Sequence, residues 1–385
     1  MPASPSAARA INDREALLLL RDGPLTAGQL TRLTGLSRPT IAELVKRLGD
    51  AGLVTVVGEA DVRRRGPNAQ LYGIVRDRAH VAALDIRTHS VAVVVADLLG
   101  TVLAEAATPV DRDTPASAVD RTVDLVTDAA RRAGAQALHS VGIGVPGLVD
   151  PATGELRRTP GLPQWHGGVM SALRDLPGRL VVENETSVAA LAEHRAGNAG
   201  DRDTFALLWL GHGTGAALVL DGTLHRGASG GAGELGFLPV PGVPGPVPGN
   251  GFHTLASSAA ITALAAEHGL TATAAPHEPS AAAVVREAVA VGAERFLDAL
   301  ADRVAIGAAS ITSVLDPGCV VLGGEIGRAG GDPLAARVAD RLAAWSPIPT
   351  TVRPSALGGS AVLRGALLTA CEAAQDDLFS HCARA

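Results

Sequence analysis

The groups able to do chemistry are few and unevenly placed along this 385-residue chain. Lys46 is the only lysine, and it lies on the polar side of a helical pattern, away from any G-x-x-x-x-G-K-[ST] string. Schiff-base and P-loop chemistry both need a lysine in a pocket, so neither is expected. Three cysteines (Cys319, Cys371 and Cys382) are too few and too scattered for a disulfide framework or a structural zinc cluster. Two kinds of feature remain. Glycine-rich turns follow apolar strands at Gly211-His212-Gly213-Thr214-Gly215 and at Gly323-Gly324. Such turns expose backbone N–H groups that can cradle phosphates, but they also serve tight packing. The second feature is a run of arginines, Arg63-Arg64-Arg65, between two short apolar strands.

Charge separates the chain into two parts. Residues 1–80 carry a net charge of +4 and the remainder −10. A small basic head on a large acidic body points to contact of the head alone with a polyanion. With 47% hydrophobic and 19% charged residues the chain buries a full core. Only 2% are aromatic, which argues against a stacking platform for single strands. No basic–apolar–small signal pattern opens the chain, and no apolar run reaches the ~18 residues that span a bilayer. A soluble, cytoplasmic protein without membrane contact is expected.

The head reads as a winged helix-turn-helix. Ile11, Ala16, Leu17, Leu18 and Leu20 predict a first helix, closed by Asp22-Gly23-Pro24. Thr26 and Gln29 fit a capping box for a second, which stops at Thr34-Gly35. Ser37 then caps a third, with Pro39 in its first turn, where proline is tolerated. Ile41, Leu44, Val45 and Leu48 share the buried face of that helix; Arg38, Thr40, Ala42, Glu43, Lys46 and Arg47 face out. Residues 53–57 and 71–74 form the two strands of a wing whose tip carries the three arginines. Tip and helix together predict contact with double-stranded DNA. The helix reads base edges, with Ser37, Arg38 and Thr40 nearest its N-terminus, and the tip reaches phosphates or a minor groove.

The body reads as one α/β unit written twice. Residues 81–103 and 205–224 each follow the order strand, turn, strand, turn, strand. An Ala-rich helix and a further apolar strand, ending at Gly147 and Gly324 respectively, complete each copy. Two such lobes facing one another across a cleft make the actin-like architecture.

On six strings the chain resembles the ROK family (repressor, open reading frame, kinase), in its regulator branch with an N-terminal winged helix. They are Leu-Ser-Arg-Pro-Thr (36–40), Gly-Ile-Gly-Val-Pro-Gly-Leu-Val-Asp (142–150), Leu-Pro-Gln-Trp (162–165), Val-Glu-Asn-Glu (182–185), Gly-Ala-Gly-Glu-Leu-Gly (231–236) and Val-Leu-Gly-Gly (321–324). The resemblance runs from about Ile11 to Ala370 and implies a sugar-kinase-type fold. It also implies where kinase chemistry should sit and where this chain departs from it. The first phosphate loop of the family resembles D-I-G-G-T; here the stretch is Asp85-Ile86-Arg87-Thr88-His89, without those glycines and that threonine. The second loop, 211–215, keeps its glycines, and the third has Glu325 in place of a glycine. The catalytic aspartate falls at Glu185. The extra methylene displaces the carboxylate by ~1.5 Å, a misplacement that can cost ~10²-fold in rate.

The sugar contacts implied by the resemblance are partly kept. The asparagine before Leu-Pro is Gly161, the Asn-Asp pair is Asn184-Glu185, Glu234 is retained, the histidine is Phe237, and the last glutamate falls at Thr254. Asn184, Glu185 and Glu234 are therefore the expected ligand-binding residues; the alternative, that they only satisfy strand ends and helix caps, stays open. The family's zinc site lacks its cysteines, so no metal and no cofactor are expected; His253 alone is not a site.

The resulting expectation is an α/β chain. A winged helix-turn-helix covers 1–78, and a two-lobed actin-like (ribonuclease H-like, sugar-kinase-type) body has lobe 1 at 79–195 and lobe 2 at 196–385. The C-terminal helix, about 358–375, is expected to return to lobe 1. No catalytic residue is expected, Glu185 marking a degenerate base position. Ser37, Arg38, Pro39, Thr40, Glu43, Lys46, Arg47, Arg63, Arg64 and Arg65 are the expected contacts to operator DNA. The reading is a transcriptional regulator, a repressor, acting as a homodimer and answering to a sugar or sugar derivative. Two alternatives remain: an active sugar kinase with an accessory DNA-binding head, and a ligand-independent repressor with a vestigial body.

Overall fold

The computed structural model describes residues 5–60, 69–110, 115–157, 162–163, 165–241, 251–275 and 278–381. In the head, α1 (Pro5–Arg21) is followed by a two-residue strand β1 (Leu25–Thr26), then α2 (Ala27–Thr34) and α3 (Arg38–Asp50). The caps are those expected from the sequence. Thr26 Oγ1 accepts from Gln29 N while Gln29 Oε1 accepts from Thr26 N, a reciprocal capping box. Gly35 ends α2 at φ 70°, a left-handed position that glycine adopts without strain. Ser37 Oγ accepts from Thr40 N at the start of α3. The wing is β2 (Val54–Glu59) and β3 (Gln70–Ile74), antiparallel, with β1 on the outer side of β3. The wing tip with Arg63, Arg64 and Arg65 lies outside the described residues. Ile11, counted with the apolar helix, is exposed.

The duplication in the body is complete at the level of sheet topology. Lobe 1 contains β4 (His80–Ile86), β5 (Ser90–Asp97), β6 (Val102–Pro109), α4 (Pro115–Arg132), β7 (Leu138–Val145), α5 (Trp165–Arg174), β8 (Arg179–Asn184) and α6 (Glu185–Ala196). Lobe 2 contains β9 (Phe205–Leu210), β10 (Thr214–Leu220) and β11 (Thr223–His225). It continues with α7 (His253–Ala256), α8 (Ser258–Glu267), α9 (Ser280–Val291), α10 (Glu294–Leu315), β12 (Cys319–Gly323), α11 (Gly324–Trp345), β13 (Thr351–Pro354) and α12 (Ala361–His381). The sheet orders are β6-β5-β4-β7-β8 and β11-β10-β9-β12-β13. In both, the first three strands are antiparallel and the last two add in parallel.

Two helices cross between the lobes and exchange places. α12, last in the chain, packs on β4 and β7 of lobe 1, whereas α6, inside the lobe 1 segment, packs on β9 and β10 of lobe 2. Glycines make the crossing close. A Cβ on Gly142 of β7 would lie 2.0 Å from the Ala366 carbonyl oxygen of α12. The Gly-Ile-Gly string at 142–144 therefore lets a helix backbone lie directly on the sheet.

The head is welded to the body. Ala16, Leu17, Leu20, Ile41, Leu44 and Leu48 of the head share one apolar cluster with Val81, Ala96 and Leu98 of lobe 1 and with Ala370, Ala374 and Phe379 of α12. Arg14 Nη2 of α1 also pairs with Asp376 Oδ1 of α12 at 2.7 Å. The boundary near residue 78 is a single helical turn, Arg76–Arg78, that runs directly into β4.

Candidate functional site

The cleft between the lobes is assembled from strand ends and helix starts. Asp85 lies near the end of β4, and Arg87 lies in the turn to β5. Asn184 and Glu185 join β8 to α6, and Glu234 precedes the short turn 235–237. His212 is in the β9–β10 turn, and Glu325 is in the first turn of α11. A carboxylate in a first helical turn is favoured by the helix dipole.

Arg87 spans the cleft. Its Nε donates to Asp85 Oδ2 at 2.8 Å, its Nη1 to Glu325 Oε1 at 2.5 Å, and its Nη2 to the Gly359 carbonyl at 2.8 Å. One guanidinium thus joins lobe 1, the start of α11 and the segment leading into α12. The two departures from the family's phosphate loops, Arg87 in the first and Glu325 in the third, are partners. Glu325, from the other lobe, offsets the Arg87 charge. Burial opposes the Arg87 charge, but Asp85 and Glu325 outweigh it and hold the guanidinium above its ordinary range.

The carboxyls behind Arg87 are pushed toward their neutral forms. Burial raises Asp85 above the usual carboxylate range, against the pull of Arg87. Asp85 Oδ1 is buried without a hydrogen-bond partner among the described residues. Glu185 is pushed up to about 8, by burial first and then by Asp85 and Glu325, with Arg87 opposing. Burial alone raises Glu234. At neutral pH Glu185 is therefore mostly protonated and can donate a hydrogen bond. Burial also lowers His212 and His253, which favours neutral imidazoles at the cleft.

Of the three expected ligand residues, Asn184 is committed to the fold. Its Oδ1 accepts from Thr186 N and Ser187 N as the N-cap of α6, and its Nδ2 donates to the Gly147 carbonyl. Glu185 and Glu234 are half-buried, and the Glu234 charge adds to the upward push on Glu185. Gly161 and the stretch 242–250 lie outside the described residues. Among the described residues no group of three or more His, Cys, Asp or Glu could hold a metal ion.

On the head, Ser37, Arg38, Pro39, Glu43 and Lys46 are exposed, and Thr40 is half-buried against Ser37 Oγ. Arg47 differs from the sequence expectation of an outward side chain. Its Nε and Nη2 donate to the two oxygens of Asp13, at 2.9 and 2.5 Å, and Asp13 is 2% exposed. The Arg47 fork therefore secures α3 to α1, because a buried carboxylate needs a partner. The sequence reading placed Glu325 in the third phosphate loop without pairing it with Arg87, and it missed Gly359 as a cleft group. The available signal was the opposite charge of Arg87 and Glu325 at two positions where the resemblance calls for glycine.

A two-lobed sugar-kinase-type body behind a winged helix-turn-helix head defines the architecture. The ROK family model matches residues 81–373 and the MarR family model residues 14–65, so the chain belongs to the ROK family, with a MarR-type winged helix at its N-terminus. The chain is similar to the DNA-binding transcriptional dual regulator NagC of Escherichia coli (strain K12), 25% identical over 224 residues, 57% of this chain. That match spans only about half of NagC, 54% of its length. Among solved structures, it is similar to a ROK family transcriptional regulator homologous to the E. coli MLC protein. The identity is 23%, the TM-score 0.76, and the match covers 98% of this chain and 99% of that one. A ROK family glucokinase from Streptomyces griseus, solved with glucose and AMPPNP, matches with 25% identity and a TM-score of 0.62, covering 76% of this chain and all of that one. Among the described residues no helix is long and apolar enough to cross a membrane.

Proposed function

We propose that the chain is a DNA-binding transcriptional regulator, a repressor, whose kinase-like body has lost phosphotransfer and binds a sugar-type effector in its cleft. The observation that supports the loss of phosphotransfer is the Arg87 bridge between Asp85 and Glu325, an internal cation–carboxylate pair at the turns where the family's phosphate loops fall. The relatives that are repressors and regulators support the same direction.

Coupling to DNA runs through α12. The segment leading into this helix accepts a hydrogen bond from Arg87, and its last turns pack against the head and lobe 1. An effector that changes the lobe angle would move α12 and with it the head, re-spacing two heads in a homodimer on operator DNA. The operator-facing set is Ser37, Arg38, Pro39, Thr40, Glu43 and Lys46, joined by Arg63, Arg64 and Arg65 of the wing.

The test is selection of duplexes from a random library by the full chain, followed by fluorescence anisotropy on the enriched sequence. Arg38→Ala and Lys46→Ala should each weaken binding and reduce the salt slope by about one. Failure to enrich any duplex would overturn the DNA reading. ADP release from ATP in the presence of a hexose, abolished by Glu185→Gln, would overturn the loss of phosphotransfer and restore the kinase alternative.

A further inference from the structure

Outside the cleft, a cavity of about 360 Å³ opens where head and body meet. Five parts of the chain wall it: Arg21 at the end of α1, the Leu99-Gly100 turn after β5, the last turns of α6, Leu357 in the segment before α12, and one side of α12. The size is that of sites that enclose small organic molecules. Leu99, Leu357, Leu367, Leu368 and Ala192 make an apolar lining.

The charges of the wall are uneven. Arg21, Arg195 and Arg364 stand there against one acid, Glu372. Asp22 offers one carboxylate oxygen at long range to both Arg195 (3.5 Å) and Arg21 (3.6 Å). Arg364 has neither a hydrogen bond nor an ion pair among the described residues. The Arg21 Nε is buried and finds no hydrogen-bond acceptor among them. Buried N–H donors in folded proteins nearly always have an acceptor, and the Asp22 oxygen at 3.6 Å lies beyond hydrogen-bond reach of this one, which leaves it open to a closer oxygen. A guanidinium takes a planar oxyanion through paired N–H donors, and the leucines beside it suit an apolar body.

We propose that this seam is a binding site for a small amphipathic anion, a carboxylate or sulfonate head on an apolar body, separate from the effector cleft. The head group lies among Arg21, Arg195 and Arg364, and the apolar body lies on the leucines of α12 and the β5–β6 turn. Neutral sugars are poorly served, because the floor is apolar and three cationic donors outnumber the one acid of the wall. Cations are repelled by the arginines. A ligand here touches the DNA-facing head and both crossing helices at once.

The experiment is a fluorescence titration of the full chain with 8-anilinonaphthalene-1-sulfonate, with octanoate and glucose as competitors. One probe should bind per chain, and octanoate should displace it while glucose does not. Arg364→Glu, on the exposed side of α12, should weaken the probe by at least ~10-fold, through loss of a charge-assisted contact and added repulsion. Ala196→Trp, on the exposed end of α6, should block the cavity, with an unchanged urea midpoint showing that the fold is intact. Probe affinity within twofold of the parent in both variants would overturn the proposal, as would the absence of a saturable signal with either anion.

Discussion

Replacing Glu185 by glutamine tests the electrostatics of the cleft through stability rather than through activity. This carboxyl ordinarily ionises at 4.5 and in the cleft at about 8. A carboxyl raised on folding makes the native state the stronger proton binder between those two values. Stability from this group is therefore fully present below about pH 4.5 and is lost as pH rises toward 8. At about 1.4 kcal/mol per pH unit the full loss would be about 5 kcal/mol. Water reaches part of the half-buried side chain, so about 2–3 kcal/mol is the expectation after screening. Glutamine keeps the shape and the hydrogen-bonding capacity of the protonated acid but cannot ionise. Urea unfolding of parent and Glu185→Gln at pH 5, 6.5 and 8 measures the difference, and the histidines and other acids cancel in the comparison. The variant should gain on the parent by about 2–3 kcal/mol between pH 5 and pH 8. A difference that stays constant with pH, or that moves the other way, would refute the claim that burial and its acidic neighbours hold Glu185 mostly protonated at neutral pH.

Three other perturbations read other parts of the structure. Arg87→Ala should destabilise the chain by about 3 kcal/mol, because it leaves Asp85 and Glu325 facing one another without their partner. In a double-mutant cycle with Glu325→Ala by urea unfolding, the coupling should be about 1–3 kcal/mol, and zero coupling would mean that the bridge contributes nothing. Gly142→Ala should cost about 3 kcal/mol in the same assay, because the new methyl meets the Ala366 carbonyl oxygen of α12; a cost below about 1 kcal/mol would show that this helix moves aside freely. Arg47→Ala should cost about 3 kcal/mol by stranding the buried Asp13, and adding Asp13→Ala should recover part of that loss. If the second change instead added its own full cost, Arg47 would not be the group that secures Asp13.

Much of the architecture was legible in the sequence because its signals are local. The capping box at Thr26 and Gln29, the Ser37 cap and the Gly35 stop depend on residues within one turn of each other, so spacing alone revealed them. The two copies of the α/β unit were visible because alternating apolar runs and glycine turns recur in the same order. The residue types at the cleft were readable too: the loss of glycines at Arg87 and Thr88, the acid at Glu325, and Glu185 at the base position.

The tertiary structure decided what those residues do. Arg87 and Glu325 are 238 positions apart, and only the meeting of the lobes makes them a pair. Asn184 was expected as a ligand residue, and the fold also uses its amide to cap α6 and hold Gly147. Arg47 looked outward by helical spacing, yet a flexible side chain on a half-buried position turns toward the buried charge of Asp13. Glu185 is pushed up to about 8 because burial and three neighbouring acids, Asp85, Glu325 and Glu234, come together from different segments. Periodicity determines which face of a helix or strand is apolar, and this sequence settled that for head and body alike. The partner of a charge depends on which distant segment folds against it, and for Arg87, Arg47 and Glu185 that was decided only in three dimensions.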